Sequence, residues 1–201
     1  IDVLGSFEND TSLSYLPLCH TYERMAGFYT LLHSGCPIAL AESIDTISSN
    51  ILDKKPSIIT TVPKLLETIK KKIIVNMERE KPAKKKIFDW AIEVGIKQVG
   101  LQQNDKYSLI NTAQYKLADK LVFGKIREKL GGNIRAFLCG GAALPDDVYE
   151  FFLAVGVTVL QGYGLTENSP VVAVNGFEDN EIGTNGRVLP NLQVQIAEDG
   201  E

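Results

Sequence analysis

The stretch QGYGLTE, residues 161–167, sets two glycines around a tyrosine and follows them with a threonine and a glutamate. Tyr163 offers an aromatic face that Gly162 and Gly164 leave open for stacking. Thr166 can hydrogen-bond a phosphate oxygen, and Glu167 is a hard oxygen ligand of the kind Mg2+ takes together with phosphates. A second small-residue run, Gly140, Gly141 and Ala142 in CGGAALP (139–145), lets backbone groups approach a flat ligand closely. Ring, phosphate and cation together describe a nucleotide site. A tight turn with a capping threonine and a solvated glutamate would use the same residues, and both readings stand at this point.

His20 closes an apolar run and precedes Tyr22, Glu23 and Arg24. Its imidazole is placed either to orient an acid substrate or to make a structural hydrogen bond. His33 lies late in a helical pattern and reads as structural. The familiar phosphate loops are missing. The Gly124-Lys125 pair has Asp119 where a P-loop needs its first glycine, and no G-x-G-x-x-G follows a strand.

The elements that must carry these residues alternate. Strands are expected at 12–18, 37–41, 57–62, 134–139 and 157–161. Between them lie helices: one from Thr21 through Met25, Phe28 and Leu32, and one capped by Asp45 with Ile47 and Ile51. A third begins at Pro63 with Leu66, Ile69, Ile73 and Met77 inward, and a fourth turns Ala83, Ile87, Trp90 or Ala91, and Val94 inward. A fifth turns Leu117, Leu121, Ile126 and Leu130 to the core and stops at Gly131-Gly132; a last helix spans 145–156. The pattern predicts an α/β fold, a mostly parallel sheet covered by helices. After Pro170 short turn-rich strands predict the start of a small β-rich subdomain, dividing the chain into 1–175 and 176–201. In open α/β sheets ligands gather at the carboxyl ends of strands, where LCHTYE, TTVPK, CGGAALP and QGYGLTE all fall.

The 201 residues have a net charge of −4, which excludes a generic nucleic-acid binder. Cys19, Cys36 and Cys139 lack metal or disulfide spacing and read as buried thiols of a reducing compartment. No apolar run is long enough to span a bilayer. Nine basic residues fall between Lys64 and Lys86 against three glutamates. They read as a solvated face or as a patch for anionic lipid or polyphosphate. The chain opens at Ile1 and ends in VQIAEDGE, whose Asp199-Gly200 is a hairpin turn without its second strand, so it reads as an excerpt of a longer polypeptide.

SYLPLCHTYERMAG, IITTVPKLLE, LCGGAALP, QGYGLTENSP and IGTNGRVLPNLQVQI, in this order, resemble successive motifs of the adenylate-forming, AMP-binding enzymes. The LPLCHTYER form is most similar to long-chain fatty acid–CoA ligases, also called acyl-CoA synthetases. The resemblance covers nearly the whole chain and implies the N-terminal domain fold of that family. It also implies a two-step reaction: a fatty acid and ATP give acyl-AMP and pyrophosphate, and CoA then displaces AMP. On this resemblance Gly140, Gly141 and Ala142 line adenine and Tyr163 stacks on it, with Gly162 and Gly164 allowing close approach. Thr166 contacts phosphate, Glu167 holds Mg2+, and His20 lies beside the acyl carboxylate. Gly183, Gly186 and Arg187 belong to the turn entering the β-rich part.

The family's phosphate loop with its lysine, its ribose-binding aspartate and its catalytic lysine do not occur in these residues. The expectation is therefore a chain holding the adenine and metal side of the site, inactive alone. Implied partners are fatty acid, ATP and CoA, with no nucleic acid. A cytoplasmic location, contact with the inner membrane face through residues 64–86, and self-association through exposed apolar surface are further expectations. Two alternatives remain: a ligase for a short-chain or aromatic acid, and a non-catalytic nucleotide-binding α/β module.

Overall fold

A computed structural model describes Leu4 and residues 7–198; the Asp199-Gly200 turn lies outside them. The first strand, β1 (Ser12–Ser14), is shorter than the apolar run suggests. Pro17 has no N–H to give a ladder, and its carbonyl instead accepts from the His20 amide in a turn. A π-helical segment (Glu23–Tyr29) then leads directly into α1 (Thr30–His33), and β2 (Ile38–Leu40) follows. Next come α2 (Ile47–Lys54), β3 (Ile58–Thr61), α3 (Pro63–Glu78) and α4 (Pro82–Gln103). Thr46 rather than Asp45 occupies the cap of α2, held by the Ser43 amide donating to its hydroxyl. Both long helices start on a proline, whose fixed φ and absent N–H suit the first helical turn.

The chain continues through α5 (Leu109–Ala118), a π-helical segment (Asp119–Phe123), α6 (Gly124–Lys129), β4 (Ala136–Cys139) and α7 (Asp146–Ala154). The last strands are β5 (Thr158–Gly164), β6 (Val171–Val174) and β7 (Arg187–Val188). All seven form one sheet in the order β2-β1-β3-β4-β5-β6-β7. The first five pair in parallel and β6 and β7 add antiparallel edges. The α/β reading holds.

Alternation along the parallel strands feeds two cores, as period-2 side chains require. Leu13, Ile59, Phe137 and Val159 face the helices α2 to α7 and meet Leu66, Phe88, Phe123 and Phe152 there. Ile58, Ala136, Leu138 and Leu160 face the other way, toward Phe7, Leu31 and Cys36. With both faces covered, these strands read as β-branched apolar runs rather than as clean alternation.

Two helix faces differ from the periodicity. In α4 the core takes Phe88, Ala91, Val94, Gly95 and Val99, so Ala83 and Ile87 stay exposed. Gly95 sets this rotation, because it packs directly against Ala154 and the Phe123 ring. In the fifth helical stretch Ala118 and Phe123, five residues apart, are buried, while Leu117 and Leu121 are exposed. The Gly124 amide reaches back to the Asp119 carbonyl. That wider turn rotates the inward face away from a strict four-residue rhythm. Cys36 and Cys139 are buried thiols as expected, but Cys19, in the turn after β1, is exposed.

Candidate active site

The site arises because β5 outruns its parallel neighbour. Cys139, the last residue of β4, pairs with Gln161, so Gly162, Tyr163 and Gly164 project beyond β4 and pair only with β6. The chain leaves β4 through Gly140 and Gly141, and between these two strand ends opens a cleft of about 760 Å3. His20 from the turn after β1, with Thr21 and Tyr22 from the first helical turn that follows, closes its other side. Of the residues expected from the sequence, His20, Gly140, Gly141, Gly162, Tyr163, Gly164 and Thr166 all line this one cleft. Ala142 and Glu167 are exposed beside it and are not part of its wall.

The glycines have local reasons that the sequence does not display. A Cβ on Gly140 would stand 2.9 Å from Cζ of Tyr22, whose hydroxyl donates to the Leu138 carbonyl at 2.9 Å. Gly140 therefore seats a protein ring. At Gly164 the antiparallel register shifts, and a Cβ there would fall on the Pro170 carbonyl. Tyr163, between the two strand glycines, is left 53% exposed, an open face at the cleft wall.

Thr166 begins a short 3-10 turn (Thr166–Asn168) closed by the Leu165 amide donating to the Pro170 carbonyl. Its hydroxyl lies 3.3 Å from that of Thr21, tying the start of the helical wall to the turn after β5 across 145 residues of chain. Glu167 sits in the same turn, with its carboxylate exposed and in no ion pair among the described residues. Mg2+ bound along with phosphates needs only one or two protein carboxylates, so a single free one next to a hydroxyl fits such a cation. Among the described residues no group of three or more His, Cys, Asp and Glu side chains forms an all-protein cage.

The cleft wall is chemically mixed. Gly140, Gly141 and Gly162 to Thr166 bring backbone and hydroxyl groups to it, and Met25, Ala26, Leu138, Leu160 and Val174 bring apolar side chains. Burial pushes the Cys139 thiol up to about 12, so this wall residue is no nucleophile near neutral pH. Glu23 is fully buried beneath the cleft; burial raises its carboxyl to about 7, against the lowering effect of the Ser14 hydrogen bond. Sequence reading missed Thr21, Tyr22 and the π-helical wall. The signal available for the wall was Gly27, four residues after Glu23, a small residue inside an otherwise bulky helical run.

The model of the AMP-binding enzyme family matches residues 2–201. The long-chain-fatty-acid–CoA ligase FadD15 of Mycobacterium tuberculosis is 32% identical over 192 residues, covering 94% of this chain and 31% of the relative. Long chain acyl-CoA synthetase 8 of Arabidopsis thaliana is 33% identical over 200 residues, covering 94% of this chain and 27% of the relative. The chain thus spans about a third of the length of the curated relatives it matches. The crystal structure of the anthranilate CoA ligase AuaEII in complex with anthranoyl-AMP superposes with a TM-score of 0.61 at 17% identity. That match covers 100% of this chain and 30% of the ligase, and it bears on the fold alone. A strand-end cleft with these motifs, in a chain matched almost end to end by the family model, makes this chain a member of the AMP-binding enzyme family.

Proposed function

We propose that this chain forms the adenine and acid side of the active site of an ATP-dependent long-chain fatty acid–CoA ligase. The observation that carries the reading is the cleft itself, whose wall combines glycine backbone and hydroxyls with the apolar side chains of Met25, Ala26, Leu138 and Leu160. Such a cleft suits a ligand with a charged head and a hydrocarbon tail. The fatty-acid ligases among the relatives point to the same substrate class.

In the reaction a carboxylate oxygen of the acid attacks the α-phosphorus of ATP, and pyrophosphate leaves with the electron pair of the broken P–O bond. The thiol of CoA gives up its proton to solvent, its sulfur forms a bond to the acyl carbon, and AMP departs with the pair of the broken C–O bond. Tyr163 stacks on adenine beside the Gly140–Ala142 segment, and Gly162 and Gly164 leave room for the approach. Thr166 donates to phosphate, with Thr21 orienting its hydroxyl. Glu167 holds Mg2+, which when bound neutralises phosphate charge. His20, at the rim, faces the acyl carboxylate. Fixed donors of this kind lower a barrier because they need no reorganisation as charge shifts.

The test is titration of the chain with a non-hydrolysable fatty acyl-adenylate mimic, with and without Mg2+, for the parent and Tyr163→Ala. Saturable binding weakened tenfold or more by the substitution is expected, since a stacked base contributes roughly 1–3 kcal/mol. Undiminished binding by the variant removes Tyr163 from the site. A benzoyl-adenylate mimic binding more tightly than the fatty one redirects the reading to an aromatic acid.

Residues 176–201 would open a β-rich subdomain, and Tyr29, Leu32, Leu40 and Ile44, all exposed, would drive self-association. Residues 64–86 would approach an anionic surface at a cytoplasmic membrane face, although Lys64, Lys70, Lys84 and Lys85 are already paired with acids. No helix among the described residues is long and apolar enough to cross a membrane.

A further inference from the structure

Two of the residues that the sequence pattern turns inward on the fifth helical stretch, Leu117 and Leu121, belong instead to an outward row. Leu109, Ala113, Leu117 and Leu121 recur every four residues, with Ile110 beside them. Leu109 is 74%, Ile110 75%, Leu117 51% and Leu121 42% exposed. The core is served by the other side of the same stretch, through Asn111, Ala118 and Phe123. The Asn111 amide donates to the Gln98 side chain at 2.8 Å and so fixes that side against α4. The helix therefore cannot roll its leucines inward without losing Ala118 and Phe123 from the core.

The charge along this stretch is of one sign. Lys106, Lys116, Lys120 and Lys125 are all exposed, and none is in an ion pair among the described residues. Residues 106–129 hold six basic side chains against Asp119 and Glu128, in a chain whose net charge is −4. Asp119 is itself taken up by Arg127 at 2.6 Å. At the far end of α6 the charge of Lys129 reaches Glu80, whose carboxyl is lowered first by Lys84 and further by Lys129. The positive stretch is thereby continuous with the α3–α4 corner, where Arg79, Lys81 and Lys86 lie.

We propose that this face, α5 with the π-helical segment after it, docks on an anionic lipid bilayer. Leu109, Ile110, Leu117 and Leu121 enter the boundary of the acyl chains, and Lys106, Lys116 and Lys120 lie against the headgroups. An exposed helix with an apolar stripe edged by lysines lies in the plane of such an interface. Its lysines gain from the negative surface potential within a Debye length. A second copy of this chain fits less well. A two-fold contact places the same patch on both sides and so sets lysine against lysine. The proposal stands on the helix alone and holds whichever acid the cleft takes.

The test is flotation of the chain with vesicles of phosphatidylcholine alone and of phosphatidylcholine mixed with phosphatidylserine. Variants are the pair Ile110→Glu with Leu117→Glu and the pair Lys116→Gln with Lys120→Gln. The parent is expected to float with the mixed vesicles and to stay behind with the neutral ones. The glutamate pair should lower partitioning about tenfold or more. The glutamine pair should lower it on the order of 20-fold. All these side chains are exposed, so unfolding midpoints should match the parent's; if the glutamate pair does not fold, the glutamine pair carries the test. Flotation equal to the parent's for the folded variants overturns the proposal, as does equal binding to neutral vesicles. So does a concentration-dependent dimer that the glutamate pair abolishes, which would make a second copy the occupant.

Discussion

The Ser14 hydroxyl donates to Oε1 of Glu23 at 2.5 Å, joining β1 to the π-helical wall of the cleft entirely inside the protein. The other carboxyl oxygen has no hydrogen-bond partner among the described residues, and it occupies the space that Gly27 leaves: a Cβ there would be 2.5 Å from it. A carboxyl so placed is held best in its neutral form, because burial penalises the charge.

A pH dependence of stability follows. Burial lifts the Glu23 carboxyl from 4.5 to about 7, the Ser14 bond partly opposing it, so the folded state holds this proton more tightly than the unfolded chain. The stabilising effect is complete below the unfolded value, is lost as pH rises through about 7, and changes no further above that. The titratable groups that feel Glu23 are the Tyr15 and Tyr22 phenols, both raised by burial and neutral over this window. The loss amounts to ~3 kcal/mol at 1.36 kcal/mol per pKa unit. Glu23→Gln keeps an acceptor for Ser14 and cannot ionise. Urea unfolding should show the parent losing stability from about pH 5 to about pH 8, with the variant flatter and the more stable of the two at the higher pH. Equal slopes for both proteins would remove Glu23 as the source.

Gly140→Ala separates two reasons for a glycine at the head of the cleft. The new methyl would press on the Tyr22 ring and strain its bond to the Leu138 carbonyl. Overpacking of this kind costs roughly 1–3 kcal/mol. The expected result is a lower unfolding midpoint, with Tyr22→Ala in the same chain restoring part of the loss from the alanine. A variant as stable as the parent, yet weaker for the acyl-adenylate mimic, would show that the glycine serves the ligand instead.

The contrast between Gly140 and Glu23 shows what this sequence makes legible. The parallel α/β architecture was readable because β-branched runs and helix stops alternate without short hairpins until late in the chain. Strand-end placement then brought His20, the Gly140 pair and GYGLT to one cleft. What escaped depends on partners far away in the chain. Glu23 looks like an ordinary acidic residue in the first turn of a helix, and only the register of Ser14 and the gap at Gly27 bury it. The π-turns escaped for a related reason. An i to i+5 bond leaves little local signature, and one such turn exchanged Leu117 and Leu121 for Ala118 and Phe123 in the core.

Thr21 and Thr166, 3.3 Å apart, offer a prediction about orientation. Both are at the cleft, and an exposed hydroxyl pair adds little to folding, so Thr21→Val should change stability by no more than about 0.5 kcal/mol. It should nevertheless weaken the mimic, because the Thr166 hydroxyl then turns freely and must be ordered on binding. Thr166→Val should weaken it too, and the double variant should lose less than the two single losses added together. Additive losses would mean that the two hydroxyls act separately.

Glu167 provides the sharpest check on the proposed metal. Its carboxylate is exposed, unpaired among the described residues and one residue from Thr166. Apart from cation binding, then, the structure gives it no charge partner to lose. Glu167→Gln keeps the shape and removes the charge, so folding should be unchanged within about 0.5 kcal/mol. ATP affinity measured without Mg2+ should stay the same or rise slightly, since a negative charge near the phosphates has gone. The tightening of ATP binding that Mg2+ brings to the parent should shrink several-fold in the variant, because a hard cation loses one anionic oxygen ligand. If Mg2+ tightens ATP equally in both proteins, the cation is held by the phosphates and other groups, and Glu167 is only a turn residue.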